Sequence, residues 1–260
     1  MPLRFRLVDQ YLGLLLDTEV NALRSGDLHV VETPRRTRRE KSYSFVHALH
    51  AVFFMDGRVA ASVTPGAGQD VRRLLDAWSW DGTEPFGARW LESVKEAVSA
   101  ARAKASMTPP ASISESLVFA CDLEHLRCPP ANPARRITGE VLPPAEGLSL
   151  PAHCFPGGVV FGVVADERVA SVAYAHKTGR MEDRIADLGV ETAPAYRRRG
   201  YAKAAVAAVT AHITDRGGEA IYSCSPRNYA SMLTACGVGY KLYATTLTIT
   251  APADEEEPAA

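Results

Sequence analysis

The sequence is poor in cysteine and contains no long apolar run. Its five cysteines form no C-x-x-C pair, and an odd number cannot all pair with one another. Since proteins of oxidising compartments usually carry an even set, we expect a reduced, cytoplasmic protein. No stretch approaches the ~18 uninterrupted apolar residues of a membrane-spanning helix. Aspartates interrupt the apolar start MPLRFRLVDQYLGLLLDTEV, which is not typical of a signal peptide. We expect no membrane partner.

The chain also has almost no net charge and no standard nucleotide-binding motif. Its 29 Lys and Arg residues nearly balance its 30 Asp and Glu residues, giving a net charge of −1. Proteins whose main task is to hold nucleic acid are usually strongly basic. The basic stretch PRRTRREKS (34–42) has no interleaved aromatic residues and is predicted to be a solvated loop. Neither a G-K-S/T P-loop nor a three-glycine dinucleotide motif is present. We expect no nucleic-acid partner.

No cluster of histidine and cysteine has the spacing of a standard zinc site. The nearest candidates are Cys121, His125 and Cys128, with His153 and Cys154 farther along. We therefore predict that the protein holds no metal. Structural roles are also predicted for His47, His50, Trp78, Trp80 and Trp90.

Two proline-rich stretches divide the sequence, SMTPPASIS at 106–114 and RCPPANPARR at 127–136. Clustered prolines end helices and remove backbone donors, so domain joints are common at such places. We predict an N-terminal α/β domain at 1–112, a second domain at 113–250 and a disordered acidic tail at 251–260. The tail sequence APADEEEPAA contains no large apolar residue.

Short patterns predict the elements of both domains. In the first, two apolar runs flank Asp56-Gly57, a dipeptide typical of hairpin turns, and two helical patterns follow. In the second, two strands turn at Asp166-Glu167 and a third ends at Pro194. An alanine-rich helix then spans 200–216, followed by strand, helix and strand. The fold class is therefore α/β (α+β) with mixed strand pairing.

The segment TAPAYRRRGYAKAAVAAV places three arginines and a glycine directly before the alanine-rich helix. The first N–H groups of a helix have no internal partner, and the helix dipole adds positive potential there, so a phosphate fits such a turn. Gly200 lets a ligand approach the backbone, and Ala202 keeps the next turn narrow. The arginines Arg197, Arg198 and Arg199 are equally compatible with an ordinary solvated basic loop.

Two motifs resemble the GNAT N-acetyltransferase superfamily. Arg197-Arg198-Arg199-Gly200-Tyr201-Ala202 matches the pattern Q/R-x-x-G-x-G/A, within a longer T-x-P-x-Y-R-x-R-G-Y-A form. Downstream, Asn228 and Ser231 match N-x-x-S, and Gly239-Tyr240 follows at the expected distance. The resemblance covers roughly residues 155–250. It implies a C-terminal GNAT fold, with a mixed, mostly antiparallel central sheet flanked by helices. The N-terminal half could be a degenerate GNAT-like half.

The resemblance implies acetyl-CoA, or another acyl-CoA, as co-substrate. Backbone N–H groups from Arg198 to Ala202 would cradle its pyrophosphate, with Arg197 at the edge of the same turn. Backbone groups of Val190 and Thr192, at the splayed end of a strand, would hold the pantetheine. Asn228 and Ser231 would contact the cofactor from the following helix.

Direct attack of an amine on the thioester needs a base and a proton for the thiolate. The first candidate base is Glu191, and Asp187 and Asp183 compete with it, since strand alternation puts all three on one face. Any of them could instead be solvated or ion-paired. Many relatives carry a tyrosine seven residues after the asparagine, where this chain has Ala235. The remaining proton donors are Tyr240, Tyr222 and Ser231, unless the thiolate leaves unaided.

The resemblance thus implies an N-acetyltransferase that moves acetyl from acetyl-CoA to a primary amine on a small molecule or peptide. The alternative, motivated by Ala235, is a non-catalytic acyl-CoA-binding or regulatory protein. The N-terminal half would contribute to the acceptor cleft or to a homodimer surface. The acceptor itself stays open, because acceptor-binding residues lie in loops without a fixed motif.

Overall fold

The computed structural model describes residues 4–24, 26–38, 45–78, 86–128, 133–138, 142–150, 158–176, 181 and 184–253. The chain divides into two compact units. The C-terminal unit contains the chain up to Tyr11 together with Leu117–Tyr243, and the N-terminal unit contains Leu12–Ser116 together with the chain from Ala244 onward. The two units therefore interleave along the sequence, in contrast to the consecutive domains that we predicted.

The described residues of the N-terminal unit form three strands of its own, together with parts of two strands that it shares with the other unit. Its sheet has the order β1-β3-β2-β10, in which β1 runs parallel to β3 and the other pairs are antiparallel. The strands are β1 (Leu28–Glu32), β2 (Phe45–Phe54), β3 (Val59–Val63) and β10 (Lys241–Pro252). The helices are α1 (Arg6–Leu16, shared with the other unit), α2 (Val20–Arg24), α3 (Gly68–Asp76) and α4 (Ala88–Lys104).

Aromatic packing fills the core of this unit. The Phe53 ring lies 4.6 Å from the Trp78 ring and 4.7 Å from the Phe86 ring, between β2 and the helices. The core roles predicted for Trp78 and Trp90 are confirmed, while Trp80 lies outside the described residues. The predicted hairpin at Asp56-Gly57 is also confirmed, since β2 and β3 pair on either side of it.

Strand β10 extends farther than the sequence predicted. It includes Ala251, which is buried and pairs with Val46, and Pro252, which pairs with Phe45. The first two residues of the predicted acidic tail are therefore part of a sheet, in which Ala251 buries its side chain. Residues 254–260 lie outside the described part of the chain.

The C-terminal unit holds a mostly antiparallel sheet with one parallel pair. Its order is β4-β9-β8-β7-β6-β5, and among these described strands only the pair β8 and β9 runs parallel. The strands are β4 (Ser112–Cys121, which enters this unit at Leu117), β5 (Ala134–Arg136), β6 (Val160–Ala165), β7 (Arg168–His176), β8 (Ile185–Thr192) and β9 (Glu219–Cys224). The predicted α/β class with mixed strand pairing is confirmed.

Helix α5 (Tyr201–Thr214) and helix α6 (Tyr229–Val238) pack on one face of this sheet. The predicted apolar stripe of α5 is buried at Ala205, Val206, Val209 and Ile213, and Ala202 is half-buried. The small alanine side chains let α5 approach the strands closely. Its N-terminus consequently stands beside the end of β8, where the predicted phosphate-binding turn lies.

Candidate functional site

Strands β8 and β9 separate after a short parallel ladder. They pair at Ile185↔Glu219, Ala186↔Ala220 and Asp187↔Ile221, and no farther. Strand β8 then continues on β7 as far as Thr192, while β9 continues on β4 as far as Cys224. The result is a split between two parallel strands, with an unpaired backbone edge on each side.

Asp187 stands at the point where the split begins. Its carboxyl accepts hydrogen bonds from the main chain and the hydroxyl of Ser223. At the end of the ladder, a main-chain N–H group of β9 is therefore bound by the Asp187 side chain and not by the main chain of β8. Burial raises the pKa of this carboxyl from 3.8 to about 6, although the bonds from Ser223 and the Leu188 main chain act in the opposite direction.

The unpaired edge of β8 presents specific main-chain groups to the split. The Ala193 N–H donates to the Ala170 carbonyl on β7 at 3.0 Å. Since main-chain groups alternate sides along an antiparallel strand, those of Glu191 also face β7, and the Ser171 hydroxyl indeed donates to the Glu191 carbonyl at 3.1 Å. The N–H and C=O groups of Val190 and Thr192 therefore face the split. The Thr192 carbonyl accepts from the Arg197 guanidinium at 3.2 Å.

The turn from β8 into α5 has an unusual backbone. A short 3-10 turn at Pro194–Tyr196 is followed by left-handed conformations at Arg198 (φ 62°) and Gly200 (φ 81°). Such residues turn neighbouring N–H groups toward a common concave side. The first α5 bond runs from the Ala204 N–H to the Gly200 carbonyl at 3.0 Å. Within the described ranges, no acceptor binds the main-chain N–H groups from Arg198 to Lys203.

The predicted residues of this turn divide into backbone and side-chain roles. A Cβ built on Gly200 would find no atom within 4 Å, so the space in front of the turn is open. The Arg199 guanidinium lies 5.3 Å from the centre of the Tyr196 ring, and the Tyr201 ring stacks on the same ring at 6.3 Å. Arg197 and Arg199 contact the turn itself, and the three arginines add positive charge around the open N–H groups.

A cleft of about 420 Å³ adjoins this turn. Basic groups of Arg127, Arg199 and Lys203 line it, and none of the three makes an ion pair with a carboxylate of the described chain. The Lys203 side chain crosses α6 at Gly237, where a Cβ would stand 2.6 Å from Lys203 Cε. The cleft thus extends the positive surface from the α5 N-terminus to the end of α6.

Asn228 and Ser231 lie together at the start of α6. The Asn228 Oδ1 accepts from the Ser231 N–H at 3.1 Å and caps the helix. The asparagine of the predicted motif therefore has a structural role, which its place before an apolar helix could have indicated. Its side-chain NH₂ is exposed, and no group in the described part of the chain accepts from it.

The two candidate bases stand on one face of β8, with Gly189 between them. Asp187 and Glu191 are both half-buried and lie about 13 Å apart along the strand. The Tyr174 ring of β7 covers Gly189, since a Cβ on this glycine would stand 2.4 Å from two ring carbons. Asp183, the third candidate, lies outside the described residues.

Sequence reasoning missed two residues of this face. Tyr174 packs edge-on against His176 at 4.9 Å, and His176 pairs directly with Asp187 across the β7–β8 ladder. The available signal was a glycine between two acidic residues in a predicted strand, because a strand glycine often marks the close approach of another group. Identifying that group required the register of β7.

The candidate proton donors differ in their surroundings. Tyr240 is buried, and its hydroxyl bonds to the Thr210 hydroxyl at 2.7 Å, so its position favours a packing role. Burial also raises the pKa of Tyr240 well above its ordinary value. Tyr222 is equally buried, with its ring edge-on to Tyr240 at 5.8 Å. Ala235 is fully buried in the same core cluster as both rings.

Of the described cysteines of the C-terminal unit, Cys121 and Cys224 are buried, while Cys128 and Cys236 are exposed. Burial raises the pKa of Cys121 to about 12, and it also raises the pKa of Cys128 and Cys224. These thiols stay protonated at neutral pH, which disfavours nucleophilic catalysis. Cys154 and His153 lie outside the described residues, among which no group of three potential ligands surrounds a metal position. Nor does any helix of the described chain have the length and apolarity to cross a membrane.

Comparisons with known proteins match the same part of the chain. Residues 131–237 match the family model described as Acetyltransferase (GNAT) family. A GNAT-family protein from Novosphingobium aromaticivorans aligns at 20% identity and TM-score 0.46, over 56% of this chain and 68% of its own. An acetyltransferase of the GNAT family from Colwellia psychrerythraea aligns at 17% sequence identity and a TM-score of 0.44, over 55% of this chain and 58% of its own.

A further structure, yncA from Salmonella typhimurium with its cofactor acetyl-CoA, aligns at 16% identity and TM-score 0.30, over 40% of this chain and 70% of its own. No curated protein matches the chain. The family match spans strands β5 to β9, helix α5 and nearly all of α6. It therefore includes both edges of the split and the turn before α5.

Proposed function

This chain carries a GNAT acetyltransferase domain at residues 131–237, and on that premise we propose that it transfers an acyl group from acyl-CoA, with acetyl-CoA as the simplest donor, to a primary amine. The observation that carries the proposal is the continuous path from the unpaired edge of β8 to the open N–H groups before α5. Coenzyme A has an anionic pyrophosphate that suits the turn and a pantetheine chain with amide groups that suits the strand edge.

The residues present fit coenzyme A on two grounds. The N–H groups from Arg198 to Lys203 have no acceptor of their own in the described chain and suit a pyrophosphate, because oriented N–H groups at a helix start bind anions. The outward-facing groups of Val190 and Thr192 suit the amides of pantetheine, as an added strand would. From the other side of the split, the exposed Asn228 amide and the Ser231 hydroxyl would approach the bound chain.

Two carboxylates of β8 act on the attacking amine, one as a proton acceptor and one through its charge. Asp187, with a pKa near 6, is largely ionised at neutral pH and is basic enough to accept the proton of an attacking amine. Glu191, farther along the same face, adds negative charge that attracts an ammonium group. The amine nitrogen forms the new C–N bond, the C–S bond breaks, and the proton lost by nitrogen balances the proton gained by sulfur.

Calorimetry and thiol release test the proposal together. Acetyl-CoA should bind, and a panel of primary amines should release coenzyme A thiol with at least one member. Gly200→Glu should weaken binding at least about tenfold, since it adds a negative charge and a strained φ at the pyrophosphate position. Absence of binding in the wild-type chain would sink the proposal.

A non-catalytic acyl-CoA-binding role is the second candidate, because Ala235 stands where the family motif has tyrosine. This role predicts binding of acetyl-CoA without thiol release for any amine. A small-molecule or peptide acceptor, a homodimer and a cytoplasmic location stay predictions. Size-exclusion chromatography with light scattering would test the homodimer.

A further inference from the structure

Tyr222 occupies a special position on β9. It follows Ile221, which is the last residue of β9 to pair with β8. Its side chain packs in the same core cluster as Leu188 of β8 and Ala235 of α6. Tyr222 is therefore the first side chain beyond the point where the two strands separate, on the face that carries α5 and α6.

The Tyr222 hydroxyl is a buried polar group that makes no hydrogen bond of ordinary geometry in the described part of the chain, although the Ser231 hydroxyl interacts with it. Tyr222 is 2% exposed, so water does not satisfy this hydroxyl either. Buried polar groups almost always find a partner, and an exception calls for an explanation. The neighbouring Tyr240 shows the ordinary solution, since its hydroxyl bonds to Thr210 at 2.7 Å.

Helix α6 presents small side chains toward the Tyr222 ring and its hydroxyl. Ser231 and Ala235 are four residues apart and therefore share one face of α6. Ala235 is fully buried against the cluster that holds the Tyr222 ring, so a larger side chain at 235 would compete with that ring. The Ser231 hydroxyl acts on the Tyr222 hydroxyl and lowers the pKa of Tyr222, although burial raises it overall.

Taking the acyl transfer proposed above as its basis, we infer that Tyr222 donates the proton that the coenzyme A sulfur takes when the C–S bond breaks, and that Ser231 positions the Tyr222 hydroxyl. The tyrosinate left behind regains a proton through the Ser231 hydroxyl, which is partly exposed to solvent. The amine loses one proton through Asp187, so one proton enters and one leaves per turnover. The Tyr222 phenol on β9 thus supplies the proton that α6 cannot supply, because α6 has alanine at position 235.

Two phenylalanine variants separate Tyr222 from its rival Tyr240. Tyr222→Phe should lower kcat about 10²-fold, the usual contribution of a general acid, with KM for acetyl-CoA changed less than about twofold. It should also remove the alkaline fall of the kcat profile, which reports deprotonation of the donor. Tyr240→Phe should keep that fall. Loss of the fall in Tyr240→Phe, with a normal profile in Tyr222→Phe, would overturn the inference.

A measurement on bound coenzyme A keeps the test independent of turnover. A donor to sulfur stabilises the thiolate, so the pKa of the bound thiol, followed by thiolate ultraviolet absorbance, should be higher in Tyr222→Phe than in wild type. An equal thiol pKa in both proteins would contradict the inference. If the wild type releases no thiol with any amine but the thiol pKa differs, acyl transfer is refuted and the contact between Tyr222 and sulfur stands.

Ser231→Ala is expected to have a smaller effect, because it removes the neighbouring hydroxyl and keeps the Tyr222 phenol. Without the Ser231 hydroxyl the pKa of Tyr222 should rise, so the alkaline fall of kcat should move to higher pH, with kcat reduced only a few-fold. Circular dichroism and coenzyme A calorimetry check that each variant folds and binds. An unmoved alkaline fall in Ser231→Ala would remove the positioning role from Ser231.

Discussion

Gly189 and Tyr174 face each other across the β7–β8 ladder, with the tyrosine ring where a glycine Cβ would lie. A methyl group at Gly189 would stand 2.4 Å from ring carbons of Tyr174, closer than any ordinary contact. This contact fixes the ring between the two candidate bases. It gives the face of β8 that carries Asp187 and Glu191 a definite shape.

Gly189→Ala should therefore destabilise the protein by about 1–3 kcal/mol, the usual cost of overpacking, and should lower acyl transfer by displacing the Tyr174 ring. Thermal unfolding and thiol release measure the two effects. Adding Tyr174→Ala should recover stability relative to the sum of the single changes, because the clash is gone. Strict additivity of the two changes would show that the residues do not touch.

Gly200→Ala should weaken acetyl-CoA binding while leaving the fold intact. The left-handed φ of 81° costs an alanine about 1–2 kcal/mol, yet no atom stands within 4 Å of the new methyl. Arg198→Gly is the matched control, since it relieves the left-handed backbone at Arg198 and removes one arginine. It should retain binding within a few-fold in calorimetry. A greater loss from Arg198→Gly than from Gly200→Ala would assign binding to the arginine side chain.

Asp187 should give the rate a rising limb near pH 6. Acyl transfer requires the ionised carboxyl, and burial raises the pKa of Asp187 to about 6. Asp187→Asn should lower kcat/KM about 10²-fold and abolish that limb. Ser223→Ala removes a hydroxyl bond that lowers the pKa, so it should shift the limb to higher pH. A limb that persists in Asp187→Asn would transfer the role to another group, with Glu191 the first to test.

The same carboxyl links stability to pH. Because the pKa of Asp187 is higher in the folded state than its ordinary 3.8, the folded protein holds this proton more tightly. Its contribution to stability is therefore complete below the unfolded pKa and is lost as pH rises through about 6. Urea unfolding at several pH values should show this decline in wild type and a smaller one in Asp187→Asn.

Asn228 variants separate helix capping from cofactor contact. Asn228→Ala should lower stability by about 0.5–2 kcal/mol through loss of the cap to the Ser231 N–H. Asn228→Asp keeps the capping oxygen but replaces the exposed amide with a charge. It should retain the unfolding temperature and weaken acetyl-CoA binding several-fold. If Asn228→Asp leaves the affinity for acetyl-CoA unchanged, Asn228 caps the helix and does not contact the cofactor.

Local features of the site are predictable from the sequence. Pro194, Gly200 and the alanines of α5 act on neighbouring residues, so their spacing alone indicates the end of the strand, the turn and the helix. The turns at Asp56-Gly57 and Asp166-Glu167 follow the same logic. The left-handed φ of Arg198 was not expected, because arginine rarely adopts it.

Features that depend on register could not be predicted. The hydrogen bonds from Ser223 to Asp187 join strands that are far apart in sequence, and the ring of Tyr174 meets Gly189 only in one alignment of β7. The lack of an ordinary hydrogen bond at the buried Tyr222 hydroxyl is visible only once its whole surroundings are known. Each of these depends on which residues the fold brings together.

Strand β10 has a consequence for how the protein is made. The N-terminal sheet has β2 beside β10, so its ladder stays incomplete until residues 244–252 have left the ribosome. During synthesis the apolar edge of β2 is open to other chains, a state in which nascent proteins aggregate. Synthesis of the first half of the chain therefore does not suffice to complete the N-terminal sheet, which needs residues 244–252.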